Sequence, residues 1–314
     1  MKTDRKTKKV ILGSKFDFRP DAKHMKIAAT AIGFDAKKYI LAVSNIPETI
    51  RDRTSPPQMD DQFDYEIIEI QGASPLRHGI RNEKMAFHFL QPVQGDKFLL
   101  ASARTSFRNG NPEKNARIFD NAGTCISEFV LGDGLQSVKV TADNHIWASY
   151  FDEGIYGSYG WDKPLGYCGL RKWDISGNSC FEYNAQAYRK YIDDCYAMNV
   201  LSDSEVWFYF YQDFQIGILK DNKISFLEPG ISGASCFLVH GQRVMFDKGY
   251  NQHGTFRVLK ISGDLLEAEY DIVFEDPDGT RLIPQLIDYR GSEMVFVSNE
   301  KVYIYDFSED IEEH

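Results

Sequence analysis

The chain has no stretch approaching the ~20 apolar residues that cross a bilayer as a helix. Near its start, Val10-Ile11-Leu12 is followed at once by polar residues, so no signal-peptide core is expected there. These two absences predict a cytoplasmic protein with no membrane association. Cysteine is sparse: five residues in 314, an odd number, with no CxxC pair. Cys125, Cys168, Cys180, Cys195 and Cys236 have apolar neighbours and read as free, buried thiols of a reducing compartment. Positive charge is in deficit, with 36 Lys and Arg against 46 Asp and Glu and a net charge of −10. Binding to a phosphate backbone depends on Lys and Arg, so nucleic acid is not an expected partner. The basic start, Lys2 to Lys9, reads as a solvated tail. Helical spacing is scarce as well, and its best candidate is Ala185 to Asp194.

Motifs that carry chemistry are also missing. No Gly-x-Ser-x-Gly elbow offers a serine nucleophile. No His-x-x-x-His, CxxC or EF-hand spacing supports a metal. Gly154, Gly157 and Gly160 do not stand between a strand and a helix, so they are no dinucleotide fingerprint. The expectation is therefore no catalytic residues, no metal ligands and no cofactor.

What the chain does have is repetition. Six apolar stretches end in a polar turn: Ile68-Glu69-Ile70-Gln71-Gly72, Phe119-Asp120-Asn121-Ala122-Gly123, Trp173-Asp174-Ile175-Ser176-Gly177, Leu219-Lys220-Asp221-Asn222, Leu259-Lys260-Ile261-Ser262-Gly263 and Tyr305-Asp306-Phe307. Their second residues fall at 69, 120, 174, 220, 260 and 306, giving gaps of 51, 54, 46, 40 and 46. A period of about 40–50 residues is that of propeller blades and other arrays whose units need neighbours to bury their faces. A second set runs ahead of the first: Tyr39 to Val43, Phe98 to Ala101, Ile146 to Ser149, Val206 to Tyr209, Val244 to Phe246 and Met294 to Val297, each after a polar turn. Turn chemistry between apolar runs marks β-hairpins. These runs are almost continuously apolar rather than alternating, as suits strands covered on both faces. Hydrophobic residues at 43% and aromatics at 14% are enough to fill such a core.

The fold class predicted is all-β, a six-bladed β-propeller forming a single domain over 1–314. Blades are placed at about 26–80, 86–133, 136–184, 195–230, 234–275 and 284–308. The last runs out of chain before its fourth strand, and the strand-like Lys9 to Phe18 is expected to supply it and close the ring. The text from Gly134 to Trp147, with its Asp143-Asn144-His145-Ile146-Trp147, resembles the repeat of six-bladed propellers of the NHL, TolB-like and gluconolactonase-like kind. Asp203-Ser204-Glu205-Val206-Trp207 repeats the Asp-to-Trp spacing. WD-repeat proteins are a weaker match, since Trp173-Asp174 is present but the Gly-His element is not.

That resemblance implies a ligand face built from the loops between second and third strands. Here those loops differ in length: about 44–63, 103–115 and 150–168 in the first three blades, and short ones near Tyr211-Gln212-Asp213 and Asp247-Lys248-Gly249-Tyr250. The segment Tyr150 to Tyr167 alternates aromatics with Gly and acids. Tyr and Trp offer large rigid contact area with a polar tip, the composition of a recognition loop. The competing reading is a loop folded over so that its aromatics act as a plug. The binding residues expected are Tyr150, Phe151, Asp152, Glu153, Tyr156, Tyr159, Trp161, Asp213, Asp247 and Tyr250. Asp152-Glu153 is also the best pair for a cation or for acid–base work, although adjacent residues converge only in a loop. Asp193-Asp194 reads as a cap or as a channel-facing pair, and His88 as a satisfied histidine.

A gluconolactonase-like enzyme would hold a cation with Glu, Asn and Asp spread over several blades. Asn199 and Asp247 lie at plausible depths for that, with no matching Glu in the first blade. Two functions follow. The first is a non-catalytic, monomeric binder of a protein partner of basic character, for example a bacterial immunity-type antidote that masks a toxin domain. The alternative is a cation-dependent propeller hydrolase or lactonase using Asp152, Glu153 or Asp247.

Overall fold

Among the described residues there are six antiparallel blades of four strands, the fifth enlarged by two further strands. The computed structural model describes residues 6–19, 21, 24–44, 58–70 and 74–312. Contacts group the chain into two units, residues 19–195 and residues 196–314 with 1–18. In the first unit, blade one is Met25–Ile32, Lys38–Ser44, Gln58–Glu69 and Leu76–Met85. Blade two is Phe89–Val93, Lys97–Ala101, Ala116–Asp120 and Cys125–Phe129. Blade three is Leu135–Val140, His145–Tyr150, Leu170–Asp174 and Ser179–Glu182.

In the second unit, blade four is Asp194–Ser202, Glu205–Tyr211, Gln215–Lys220 and Lys223–Leu227, with the division between units falling after Cys195. Blade five is Phe237–His240, Arg243–Asp247, Thr255–Ser262 and Leu265–Glu275. Blade six is Leu286–Arg290, Glu293–Ser298 and Lys301–Asp306, with Phe16–Asp17 as its fourth strand.

The two sequence patterns are the middle strands of these sheets. Residues 69, 120, 174, 220, 260 and 306 lie at or within two residues of the ends of the six third strands, and the second pattern fills the second strands. Second strands are buried almost without a break, as in Val206 to Phe210, whereas fourth strands such as Cys125–Phe129 are mostly exposed. A strand with both faces covered gains nothing from polar residues, and hence the missing alternation. Several of the polar turns are built by one aspartate. Asp120 Oδ1 accepts from the amides of Ala122 and Thr124, and Asp174 Oδ1 from those of Ser176 and Asn178. The Asn178 side chain adds a further bond and helps hold the Asp174 carboxyl below its usual range.

Cores form where rings of successive blades meet. Tyr65 packs on Phe87 at 5.3 Å and Phe87 on Phe119 at 5.9 Å; in the other unit Tyr209 meets Phe246 at 5.4 Å and Phe274 stacks on Phe296 at 5.5 Å. Trp147 and Trp207 sit buried in the equivalent second strands of blades three and four.

The amino-terminal segment does more than expected. Phe16–Asp17 pairs with Val302 and Lys301, so the first and last parts of the chain share blade six. Thr7–Ile11 is a separate strand, running parallel to Asp271 through Glu275 of blade five. Its Lys8 and Lys9 are not a loose tail: they pair with Asp310 at 3.0 Å and Glu275 at 2.7 Å. Three local expectations also change. The third strand of blade one begins at Gln58, inside the expected loop 44–63, of which residues 45–57 lie outside the described residues. Of Ala185 to Asp194 only Ala185–Tyr188 is helical, capped by the Asn184 side chain. Cys168, Cys195 and Cys236 are buried free thiols, but Cys125 and Cys180 lie exposed on fourth strands, where one face meets solvent.

Candidate functional site

The blade-three loop is organised by a residue outside it. Arg104, 2% exposed, lies just beyond the second strand of blade two. Its Nε and Nη2 donate to Asp133 Oδ1 and Oδ2, each at 2.9 Å, and the Thr105 amide donates to the same carboxylate at 2.8 Å. A buried guanidinium is tolerable only when paired this fully. Its remaining edge reaches Glu153 at 3.4 Å, and its flat face lies 4.4 Å from the Tyr159 ring centroid and 5.4 Å from that of Phe151. Trp161, 6% exposed, packs on Phe107 at 5.1 Å and donates from Nε1 to the Thr105 carbonyl at 2.9 Å. Tyr150 is fully buried, with its hydroxyl donating to the Leu131 carbonyl at 2.6 Å and its pKa raised by burial.

A short helix, Asp152–Tyr156, sits on this base. It approaches the chain at Asp133 and Gly134 so closely that a Cβ on Gly154 would fall 2.3 Å from the Asp133 carbonyl, a position only glycine fits. The helix lifts Asp152, Glu153 and Tyr156 into solvent, and Tyr156 is 66% exposed. Its hydroxyl donates to Asp193, which pushes the Tyr156 pKa up to about 12. Asp194 beside it titrates near 7, raised first by burial and then by Asp152 and Glu153. Its Oδ1 is buried with no hydrogen-bond partner. Tyr167, also exposed, donates to Glu182, and Arg171 lies over its ring at 5.4 Å.

In the second unit the short loop after Glu205–Tyr211 builds a different surface. Tyr196 stacks on Phe214 at 5.7 Å and 10°, Tyr211 meets Phe214 edge-on at 5.4 Å, and Tyr250 stands across both Tyr196 and Phe214. The Tyr196 and Tyr250 hydroxyls are hydrogen-bonded at 2.7 Å. Tyr211 and Tyr250 are 43% and 50% exposed, and Asp213 is exposed between Tyr211 and Phe214.

Asp247 differs from its neighbours in being buried. It accepts from the Ser235 amide and hydroxyl at 3.2 and 3.0 Å, lies 2.6 Å from His253 Nδ1, and accepts from the Gly254 amide at 3.3 Å. That carboxylate shapes the loop that carries Tyr250 and is not presented at the surface. Asn199 is committed in the same way: Nδ2 donates to Phe237 and Gly291 carbonyls and Oδ1 accepts from the Gly291 amide, tying blades four, five and six together. Both side chains are thus engaged in hydrogen bonds that hold neighbouring blades and loops. Among the described residues no group of three or more His, Cys, Asp and Glu side chains is placed to hold a metal ion.

The sequence-predicted residues therefore divide. In the first unit Asp152, Glu153 and Tyr156 are presented together, Phe151 and Tyr159 flank Arg104, and Tyr150 and Trp161 are interior. In the second unit Asp213 and Tyr250 are exposed and Asp247 is interior. Arg104 and Asp133 were missed: they stand 29 residues apart and nothing local marks them as a pair. Tyr196 and Phe214 were missed as site residues because each reads as strand text, and Tyr211 was placed in the blade-four loop without being singled out. His88 is satisfied, with Nδ1 accepting from the Ala103 amide at 3.1 Å.

No protein-family model matches the chain, and neither does any curated protein. Among solved structures it is similar to the Cps50 (Swd1) β-propeller domain of Myceliophteria thermophila, with a TM-score of 0.52 at 9% identity over 91% of this chain and 86% of that one. Two further similar structures are YCF48 bound to D1 peptide and an inactive virginiamycin B lyase from Staphylococcus aureus with quinupristin. Their TM-scores are 0.48 and 0.47, at 8% and 12% identity, over 90% of this chain in both cases and 95% and 94% of theirs. Likeness at such identities speaks to architecture, not activity. By its six four-stranded blades and by the first of these comparisons, the chain is a six-bladed β-propeller.

Proposed function

We propose that the chain is a non-catalytic protein-binding propeller whose blade-three loop contacts a partner of basic character. The observation that carries this is the standing of Tyr156. It is 66% exposed, yet its hydroxyl is held by Asp193 and its helix rests on a base pinned by Arg104 and Trp161. An aromatic fixed in advance loses little entropy on binding, which is what makes a hot spot effective. Asp152, Glu153 and Asp193 surround it with negative charge, and the whole chain carries −10, so a basic surface is favoured on approach. An immunity-type antidote that masks a basic toxin domain is one concrete form of this reading.

The test is capture from extracts of the source cell by immobilised protein, with cross-links mapped onto the loop. Tyr156→Ala, and separately Asp152→Lys, should each abolish capture and leave the melting temperature unchanged. Truncating a hot-spot tyrosine costs about 2 kcal/mol of binding or more. Capture that survives both changes, or that chelator alone removes, would refute this function.

A further inference from the structure

We propose that the cleft between blades one and two binds a free amino acid, taking its ammonium at Asp96 and its carboxylate at Lys97. The cleft lies among the turns that follow first and third strands, at the opposite end of the blades from the blade-three loop, and shares no residue with it.

The cleft has a volume of about 450 Å³, within the roughly 300–1,000 Å³ of small-molecule sites. Its frame is set by close backbone contacts between the two blades. A Cβ on Gly33 would fall 2.5 Å from the Pro92 ring, and one on Gly123 would fall 2.1 Å from the Gly79 carbonyl. Side chains at those glycines would force the blades apart. The turn from Gln94 to Lys97 is pinned from blade three: Asn144 Oδ1 accepts from the Gln94 amide at 3.2 Å, and its Nδ2 donates to Gln94 Oε1 at 3.3 Å. The apolar walls are packed as well. Tyr39 meets Phe98 edge-on at 5.9 Å, His78 packs on Phe98 at 5.2 Å, and Leu76 and Pro92 line the same space.

Charge selects the occupant. Asp35, Glu69 and Asp96 line the cleft together with Lys37 and Lys97. Three of the five are committed. Lys37 Nζ pairs with Glu69 at 2.8 Å, and Asp35 accepts from the Tyr39 hydroxyl at 3.1 Å and the Lys37 amide at 3.2 Å. Asp96 and Lys97 are not: among the described residues neither side chain makes an ion pair or a hydrogen bond. The Lys37 pKa is raised first by its bond to Glu69 and that of Tyr39 first by burial, and the field of Asp96 adds to both. That places the Asp96 carboxylate towards the other two acids. A simple cation would leave Lys97 unanswered, and a simple anion would meet three carboxylates. A zwitterion satisfies both, each end gaining a charge-assisted hydrogen bond. Among the described residues the acids do not group as metal ligands do, so the positive end is an organic ammonium. Phe98, Leu76 and Pro92 favour an apolar side chain on the same molecule.

The experiment screens intact protein against the common free amino acids by thermal melt and titrates those that bind by calorimetry. Amino acids with apolar side chains should raise the melting temperature. For the tightest of them, the N-acetyl derivative and the carboxamide should each bind about tenfold more weakly or worse, since each loses one charged contact. Asp96→Asn and Lys97→Gln should weaken the free amino acid by a similar factor. Asp96 sits at φ 53, which Asn also accepts, so the first change removes the charge and keeps the turn. Melts without ligand show whether each variant is folded, and the two derivatives are tested on the unaltered protein. Tyr156→Ala should leave amino-acid binding unchanged, and Asp96→Asn should leave partner capture unchanged, so this inference and the protein-binding function fail separately. Three results overturn the proposal: no amino acid bound at millimolar concentration, either derivative bound as well as the free amino acid, or binding indifferent to both Asp96→Asn and Lys97→Gln.

Discussion

The loop after His145–Tyr150 and the loop after Glu205–Tyr211 follow equivalent strands of successive blades, and both are rich in aromatics. They use them in opposite ways. The first is long enough to fold back on its own blade and the one before it. It buries Tyr150 and Trp161, closes over Arg104, and leaves Tyr156 and Tyr167 outside. The second is short. Its Phe214 packs on Tyr196 and on the buried Tyr209, while Tyr211 and Tyr250 stay about half exposed. Composition does not separate a plug from a contact surface. Loop length does, together with a distant polar anchor: a long loop that turns inward must satisfy its buried backbone and charges, and Arg104 with Asp133 does that here.

The comparison breaks most readily at the anchor. Asp133→Ala leaves a buried guanidinium without its bidentate partner and should cost about 3–5 kcal/mol of stability. Trp161→Ala removes a buried ring and its hydrogen bond to Thr105 and should cost about as much. Denaturant unfolding at constant m-value measures both. A loss under ~1 kcal/mol for either would mean that the long loop is not the plug its packing indicates. Replacing Trp161 is thus a test of folding, whereas replacing Tyr156 is a test of binding.

Much of the architecture was legible because blades repeat. The second and third strands of all six sheets can be read from apolar runs and aspartate turns, since each blade solves the same packing problem. The fourth strand of blade six was legible in part: the strand-like Lys9 to Phe18 contains Phe16–Asp17, which pairs with Val302 and Lys301. What could not be read was the division of labour within an aromatic loop. Tyr156 and Trp161 are five residues apart in similar text, yet one faces solvent and the other faces Phe107. That outcome depends on Arg104, Asp133 and Asp193, which are distant in sequence and carry no local signature. The burial of Asp247 could not be read for a related reason: a carboxylate that caps a loop and one that meets a ligand look alike until its partners, Ser235, His253 and the Gly254 amide, are in place.

In the second unit the effects should be smaller, because Tyr211 and Tyr250 are about half exposed. Gly233→Ala places a methyl group against the Tyr250 ring at a residue with φ 72, and should cost about 1–3 kcal/mol. Tyr211→Ala removes an exposed ring and should change stability by no more than about 0.5 kcal/mol. Thermal melts of the two variants in one buffer give the contrast directly. If Tyr211→Ala costs as much as Trp161→Ala, this aromatic surface is a structural plug like the long loop, and the two regions are not different in kind.

The smallest expected effect lies in the pH response of the long loop. Asp194 has a folded pKa of about 7 against an ordinary 3.8, because burial and the neighbouring Asp152 and Glu153 disfavour its charge. Between those values the folded chain holds a proton that the unfolded chain has released. Stability from this group is therefore present at low pH and declines as pH rises from about 4 through 7, with no further change above that. Asp194→Asn removes the titration and keeps the shape. Melting temperatures at pH 5, 6, 7 and 8 should fall for the parent relative to the variant over the lower two steps and then run parallel. The blade-three loop should show the same trend in amide exchange, since its helix carries two of the three acids. Curves that stay parallel throughout would show that Asp194 is ionised in the fold at neutral pH, and that solvent or a bound cation reaches the side chain whose oxygen lies buried without a partner.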